Sequence, residues 1–303
     1  MSKIILIVGA TASGKSQIGV DIANKFNGEI VSCDSMQVYK NMDVGTAKVT
    51  LDEMQGIPHH MIDVVDADCE FSVGEYVSIA DEIIKDILTR GKTPIIVGGT
   101  GLYVDGLLYP MTFGGDKNLE IRKQLEEELA LYGKEYMHSM LAKIDPKDAE
   151  KIHPNNVKRV LRALEIYRTT GSCKSSLQEF SKDLKYESCM IALDLDRDIL
   201  YERINLRVDK MIESGLLDEI KYLLSNGLNF ENQSMQAIGY KEFKEYMSGE
   251  KTLLETIETI KQNSRNYAKR QLTWFRKYDF AKWFEPQDRI GIENEIKAFL
   301  QGV

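Results

Sequence analysis

Gly9-Ala10-Thr11-Ala12-Ser13-Gly14-Lys15-Ser16 satisfies the pattern G-x-x-x-x-G-K-[ST]. The spacing binds phosphate for physical reasons. Glycines let successive backbone N–H groups turn inward on an anion, the lysine adds a point charge, and the serine hydroxyl can ligate Mg²⁺. The loop implies a phosphate or diphosphate site but does not specify a reaction. An ATPase or GTPase would normally add an apolar strand ending in Asp for the metal. Here the run Thr93-Pro94-Ile95-Ile96-Val97 ends in Gly98-Gly99-Thr100. Asp34 is the acid well placed at a strand end, and two tasks stay open for it. It could assist a metal, as in a small-molecule or nucleotide kinase, or act as general base on an incoming acceptor.

These residues need elements to hold them. Ile4-Ile5-Leu6-Ile7-Val8 is a continuous apolar run entering the glycine loop, which predicts a strand buried on both faces of a parallel sheet. A helix follows, with Ile18, Ile22 and Phe26 on one stripe and Asn27-Gly28 as its stop signal. Glu29-Ile30-Val31-Ser32-Cys33-Asp34 predicts a second strand, carrying Asp34 to its carboxyl end. Ser72 and Glu75 have capping-box spacing at the head of a helix reaching about Arg90-Gly91. The run Thr93 to Val97 is a third strand. Strand, glycine loop, helix, strand, helix, strand predicts an α/β class: a doubly wound parallel sheet whose ligands sit at the carboxyl ends of the strands.

After Gly114-Gly115 the sequence turns charged and helical, and Cys189-Met190-Ile191-Ala192-Leu193-Asp194-Leu195 then reads as strand again. A helical insertion over 113–187 is therefore expected within a core formed by 1–112 and 188–303. Helices dominate 198–224 and 253–274.

Composition bounds the rest. Hydrophobic residues make up 43% and charged residues 28% of 303, with 6 prolines, a globular profile and not a disordered one. The five-residue apolar run near the N-terminus is too short for a signal peptide or a membrane span, so a cytoplasmic, membrane-free protein is expected. Cys33, Cys69, Cys173 and Cys189 form no C-x-x-C pair and read as reduced, packed thiols. His59-His60 lacks a third ligand and reads as packing or hydrogen bonding; Trp274 and Phe275 read as core. Net charge is −8, against a surface that binds nucleic acid everywhere. Two zones depart from that average. Residues 259–278 hold Lys261, Arg265, Lys269, Arg270, Arg276 and Lys277 with no acid, and residues 151–174 hold six basic residues against Glu165 alone. They are either a confined polyanion track or two solvated helix faces.

The loop is followed in order by Asp34-Ser35-Met36-Gln37-Val38-Tyr39, Asp43-Val44-Gly45-Thr46-Ala47-Lys48, Pro58-His59-His60-Met61-Ile62-Asp63 and Gly98-Gly99-Thr100-Gly101-Leu102-Tyr103. Residues 159–165 (RVLRALE), Gly239-Tyr240-Lys241-Glu242 and residues 269–276 (KRQLTWFR) complete the series. Across essentially the whole chain these blocks resemble the tRNA dimethylallyltransferases, also called tRNA isopentenylpyrophosphate transferases. Ala10 stands where a proline is common and Ser16 where threonine is common; neither change removes a donor. The zinc-finger extension of eukaryotic relatives does not follow, so a minimal, bacterial-type member is expected, and a monomer is expected beside it.

The resemblance implies a P-loop core whose loop holds the diphosphate of dimethylallyl pyrophosphate, with Mg²⁺ at Ser16. It also implies an insertion that clasps a tRNA anticodon stem-loop. The dimethylallyl group would pass to N6 of adenosine 37, releasing pyrophosphate, with Lys15, Asp34 and Thr100 catalytic and Arg207 reaching the diphosphate. Asp34 would be the general base, and Gln37 would suit an adenine edge. The adenosine would flip out of its stack to be reached. RNA contacts are implied for Asp34, Ser35, Met36, Gln37, Thr100, Arg122, Lys158, Arg159, Val160, Leu161, Arg162, Gly239, Tyr240, Lys241, Lys269, Arg270 and Arg276. The competing expectations are a P-loop kinase and an RNA-binding NTPase switch.

Overall fold

The computed structural model describes residues 2–110, 118–177 and 183–302. Gly114-Gly115, after which the sequence turns charged and helical, lies outside these residues. The chain divides into two compact units: Met1–Leu107 with Lys185–Val303, and Leu108–Leu184.

The larger unit is built on six parallel strands: β1 (Lys3–Gly9), β2 (Gly28–Cys33), β3 (His59–His60), β4 (Thr93–Gly98), β5 (Glu187–Leu193) and β6 (Lys282–Phe284), in the order β3-β2-β4-β1-β5-β6. Helices Lys15–Lys25 and Val73–Thr89 supply the crossovers, which makes this the doubly wound sheet expected. Ile4, Ile5, Leu6, Ile7 and Val8 of β1 are fully buried. Each such side chain contributes roughly 1.5–3 kcal/mol of transfer free energy, so the apolar run dictates a central position. The capping box forms: Ser72 Oγ accepts from Glu75 N at 3.2 Å, and Ser72 N donates to Glu75 Oε2 at 2.7 Å. β5 starts two residues before the apolar run that signals it. β3 and β6 are two and three residues long, too short for a period-2 pattern to register.

Glu29, buried at the head of β2, accepts hydrogen bonds from Arg90 and Lys92 and pairs with His60 Nε2 at 2.8 Å. That network ties β2 to the strand β3 and to the end of helix Val73–Thr89, and it gives His60 a structural task. Cys33 and Cys189 are buried as expected, whereas Cys69 is exposed, because it sits in a polar turn beside Asp68. Among the described residues no helix is long and apolar enough to cross a membrane.

The smaller unit is helical: Leu119–Ile144, broken at Gly133, then Pro146–Ala149, Val157–Thr170 and Lys174–Leu177. Leu125, Met137, Leu141, Val160, Leu161 and Leu164 form its core. Its boundaries fall at 107/108 and 184/185, against 112/113 and 187/188 read from the sequence.

Candidate active site

Parallel register brings three loops together. β2, β4 and β1 lie side by side, with Cys33 opposite Gly98 and Gly98 opposite Val8. Their carboxyl ends therefore deliver Asp34, Thr100 and the glycine loop to one edge of the sheet. The register is sealed locally: Thr100 N donates to Cys33 O at 3.1 Å, and Ser35 N donates to Thr100 Oγ1 at 3.0 Å.

The glycine loop runs from Gly9 at the end of β1 into helix Lys15–Lys25, with Gly14 in the left-handed region at φ 93°. Ala10 and Ser13 are buried, and Ser13 Oγ has no hydrogen-bond partner. Thr11 N donates to Gln271 Oε1 at 2.8 Å, so this N–H is unavailable to an anion. The first helical turn keeps N–H groups without intrahelical acceptors. Lys15 Nζ folds back to Ala10 O at 2.6 Å. Its pKa is lowered to about 7 by burial first and the Arg207 guanidinium second, with Asp34 opposing. Two half-buried basic groups face one carboxylate across a cavity wall, an arrangement suited to an anion.

Arg207 sits on helix Arg197–Glu213 and donates from Nη2 to Thr46 O at 3.3 Å. It stands between two cavities. One, of about 660 Å³, is lined by Gly14, Lys15, Ser16, Val44, Arg207 and Met211 among others. The second, of about 300 Å³, is lined by Thr11, Asp34, Ser35, Met36, Gly239, Lys241, Tyr267 and Arg270, and shares Arg207 and Met211 with the first. Asp34 Oδ1 accepts from Met36 N at 2.9 Å, which fixes the carboxylate at the wall of the smaller cavity.

Not every expected residue reaches this site. Thr100 is absent from the lining. Its carbonyl starts the helix Gly101–Leu108, and its hydroxyl accepts from Ser35 N and donates to Ser35 Oγ, so it acts from behind the wall. Gln37 is elsewhere: Ser32 Oγ donates to its Oε1 at 3.1 Å, and its amide lies 3.4 Å from both Thr46 O and Ala47 O. These contacts hold Gln37 outside the lining of the two cavities. Tyr240 is fully buried and donates to Glu219 Oε1 at 2.6 Å. Lys269 and Arg276 are exposed on or beside helix Leu253–Phe275, outside both cavities. Of the residues read as core, Phe275 is fully buried and Trp274 half-buried.

In the smaller unit, Val160 and Leu161 are 1% and 2% exposed and belong to its core, which withdraws them from RNA contact. Arg162 and Arg122 pair with buried Glu165 at 3.0 and 3.5 Å, while Lys158 and Arg159 are exposed on the first turn of Val157–Thr170.

Three residues escaped the sequence reading. Tyr267 lines the acceptor-side cavity; burial, then the charge of Asp34, pushes its hydroxyl up to about 12. Glu219 receives the N–H groups of Asp43, Val44 and Gly45 at 2.7, 2.7 and 3.1 Å, pinning the loop between the cavities. Gln271 is the third. Distance in sequence hides all three, although Tyr267 and Gln271 share one helical face at i and i+4 with Trp274 close by.

A phosphate loop, two half-buried cations and a carboxylate-bearing cavity across a shared wall define an α/β protein of the P-loop class, with an anion site beside a second cavity. Comparison with known proteins agrees. The family described as IPP transferase matches residues 37–278, and that described as isopentenyl transferase matches residues 2–67. The tRNA dimethylallyltransferase of Thermoanaerobacter pseudethanolicus is 54% identical over 99% of this chain and 96% of its own length. That of Bacillus mycoides is 50% identical over 99% and 95%. Among solved structures, the tRNA isopentenylpyrophosphate transferase of Bacillus halodurans is 46% identical and covers all of this chain, with 98% of its own length matched and a TM-score of 0.75. A eukaryotic dimethylallyltransferase acting on tRNA is 37% identical, covers 90% of this chain and 70% of its own, and gives a TM-score of 0.78. The chain belongs to the tRNA dimethylallyltransferase family, which makes it a prenyltransferase and sets the kinase reading aside.

Proposed function

We propose that this protein transfers the dimethylallyl group of dimethylallyl pyrophosphate to N6 of adenosine 37 in tRNA, acting as a cytosolic monomer. The observation that carries the reading is the pair of cavities joined at Arg207 and Met211, one bearing Lys15 and Ser16, the other Asp34. The diphosphate binds the first turn of Lys15–Lys25, where Lys15 and Arg207 offset the charge that grows as the allylic C–O bond breaks. The electron pair of that bond leaves on the diphosphate. N6 forms the new bond to carbon and gives its proton to Asp34. Tyr267, kept protonated, is placed beside the flipped base.

Among the described residues no group of three or more His, Cys, Asp or Glu could cage a metal. A protein cage is not what Mg²⁺ needs here, since it keeps several waters and is held by a few protein oxygens, a P-loop Ser or Thr hydroxyl among them, together with substrate phosphates. The donor set fits: Ser16 is exposed on the Lys15 cavity, and Ser16 with diphosphate oxygens would hold Mg²⁺, which would supply further neutralisation of the leaving group. On the RNA side, Lys241 and Arg270 line the acceptor cavity. Lys158 and Arg159 offer phosphate contacts from the smaller unit.

The test is direct. Protein, radiolabelled dimethylallyl pyrophosphate, Mg²⁺ and unmodified tRNA should give label in the RNA at the adenosine beside the anticodon. No incorporation into competent tRNA sinks the reading.

A further inference from the structure

Gln271 is 5% exposed near the C-terminal end of helix Leu253–Phe275, and both ends of its amide are bonded. Oε1 accepts from Thr11 N of the glycine loop at 2.8 Å, and Nε2 donates to Gly99 O at 3.0 Å. Thr11 follows β1 and Gly99 follows β4, so one side chain ties the two loops that end adjacent strands. The approach is close enough to demand glycine: a Cβ at Gly99 would lie 2.1 Å from Gln271 Nε2. The same helix face continues the contact. One turn later Trp274 lies against Gly101. A buried amide with one acceptor and one donor fits this site in a single orientation. Glu would set a carboxylate oxygen against the Gly99 carbonyl, and Met would leave the Thr11 N–H and that carbonyl without partners.

We propose that Gln271 is a positioning residue that holds the diphosphate loop and the turn carrying Thr100 in fixed register, so that the leaving group and the accepting amine stay aligned. It touches neither substrate; it acts through Thr11 on one side and through Gly99 and Thr100 on the other. The inference rests on the transfer reaction proposed above.

Gln271→Met and Gln271→Glu should be compared with wild type in single-turnover transfer at saturating substrates. Thermal midpoint and the binding of inorganic pyrophosphate and unmodified tRNA should be measured alongside. Small misplacements of reacting groups can cost about 10²-fold. The expected result is a single-turnover rate constant lowered about 10- to 100-fold at full product amplitude, with both affinities within about threefold of wild type. If Gln271→Met does not fold, Gly99→Ala carries the same test, because it displaces the amide while keeping it. A wild-type rate constant overturns the proposal. So does a loss carried by amplitude and thermal midpoint alone, which marks a merely structural role, or a rate loss that follows lost pyrophosphate affinity. Wild-type protein that transfers nothing overturns the underlying reaction instead, which keeps the two failures apart.

Discussion

Lys15 and Arg207 in the larger unit, and Lys158 and Arg159 in the smaller, are all cations suited to phosphate, but their surroundings differ. The first pair is half-buried in a cavity wall, faces one carboxylate, and has lowered affinity for protons. The second pair stands exposed on a helix start. Partial burial strengthens the local potential, which a bound anion or loss of the Lys15 proton relieves, and this suits a site where geometry and charge must meet one leaving group. Exposure leaves charge screened and mobile, which suits adherence to a polyanion through counterion release. Arg122 and Arg162, drawn onto Glu165, fall between the two.

Several measurements can break or sharpen this contrast. Asp34→Asn, on the acceptor side of the half-buried pair, preserves shape but cannot take up a proton, so the catalytic rate should fall by roughly 10²–10⁴ with binding intact. Single-turnover rates across Mg²⁺ concentrations check it; substantial rescue by metal would assign Asp34 to the ion. Lys15→Ala should weaken prenyl diphosphate binding by roughly 10- to 100-fold, the scale of a hydrogen bond to a charged group, with tRNA affinity almost unchanged. Equal losses for both ligands would erase the distinction between the two pairs.

Lys158→Ala and Arg159→Ala should each lower tRNA affinity severalfold and reduce the slope of log K against log salt by about one. Arg162→Ala should move the slope less and the thermal midpoint more, because it strips a partner from buried Glu165. Identical salt slopes for all three variants would mean that pairing with Glu165 is immaterial.

The smallest effect is a proton. Free Lys15 has a pKa near 7, below its ordinary value, and a bound diphosphate favours the charged form. Below pH 7 the lysine is already charged and binding takes up nothing through it. Above pH 7 binding must draw in up to about one proton, so affinity falls as pH rises. Calorimetry at about pH 8 in buffers of different ionisation enthalpy reads this uptake, and Lys15→Met should abolish it.

How much of this the sequence reveals depends on the range of the signal. The glycine loop, the apolar strands and the Ser72–Glu75 capping box are local patterns, and each appears where its pattern places it. Val160, Leu161 and Tyr240 lie inside legible motifs, but a motif does not say which way a side chain faces. Periodicity separates Val160, Leu161 and Leu164 on the apolar stripe of Val157–Thr170 from Lys158 and Arg159. Gln37, Tyr267, Glu219 and Gln271 depend on partners distant in sequence or on the course of a loop, and no single-chain pattern encodes those meetings. β3 and β6 are strands only because a neighbour pairs with them.

The order β3-β2-β4-β1-β5-β6 also bears on how the protein is made. β1 emerges before the other strands, and β4 can cover one of its flanks once Gly98 has cleared the exit tunnel. The other flank belongs to β5, which is translated only after Leu108–Leu184. At roughly 5–20 residues per second, the most apolar strand of the molecule keeps an open edge for several seconds while the smaller unit is being synthesised. Nascent chains stalled within 108–184 should therefore be bound by holdase chaperones, and release should follow once β5 clears the exit tunnel.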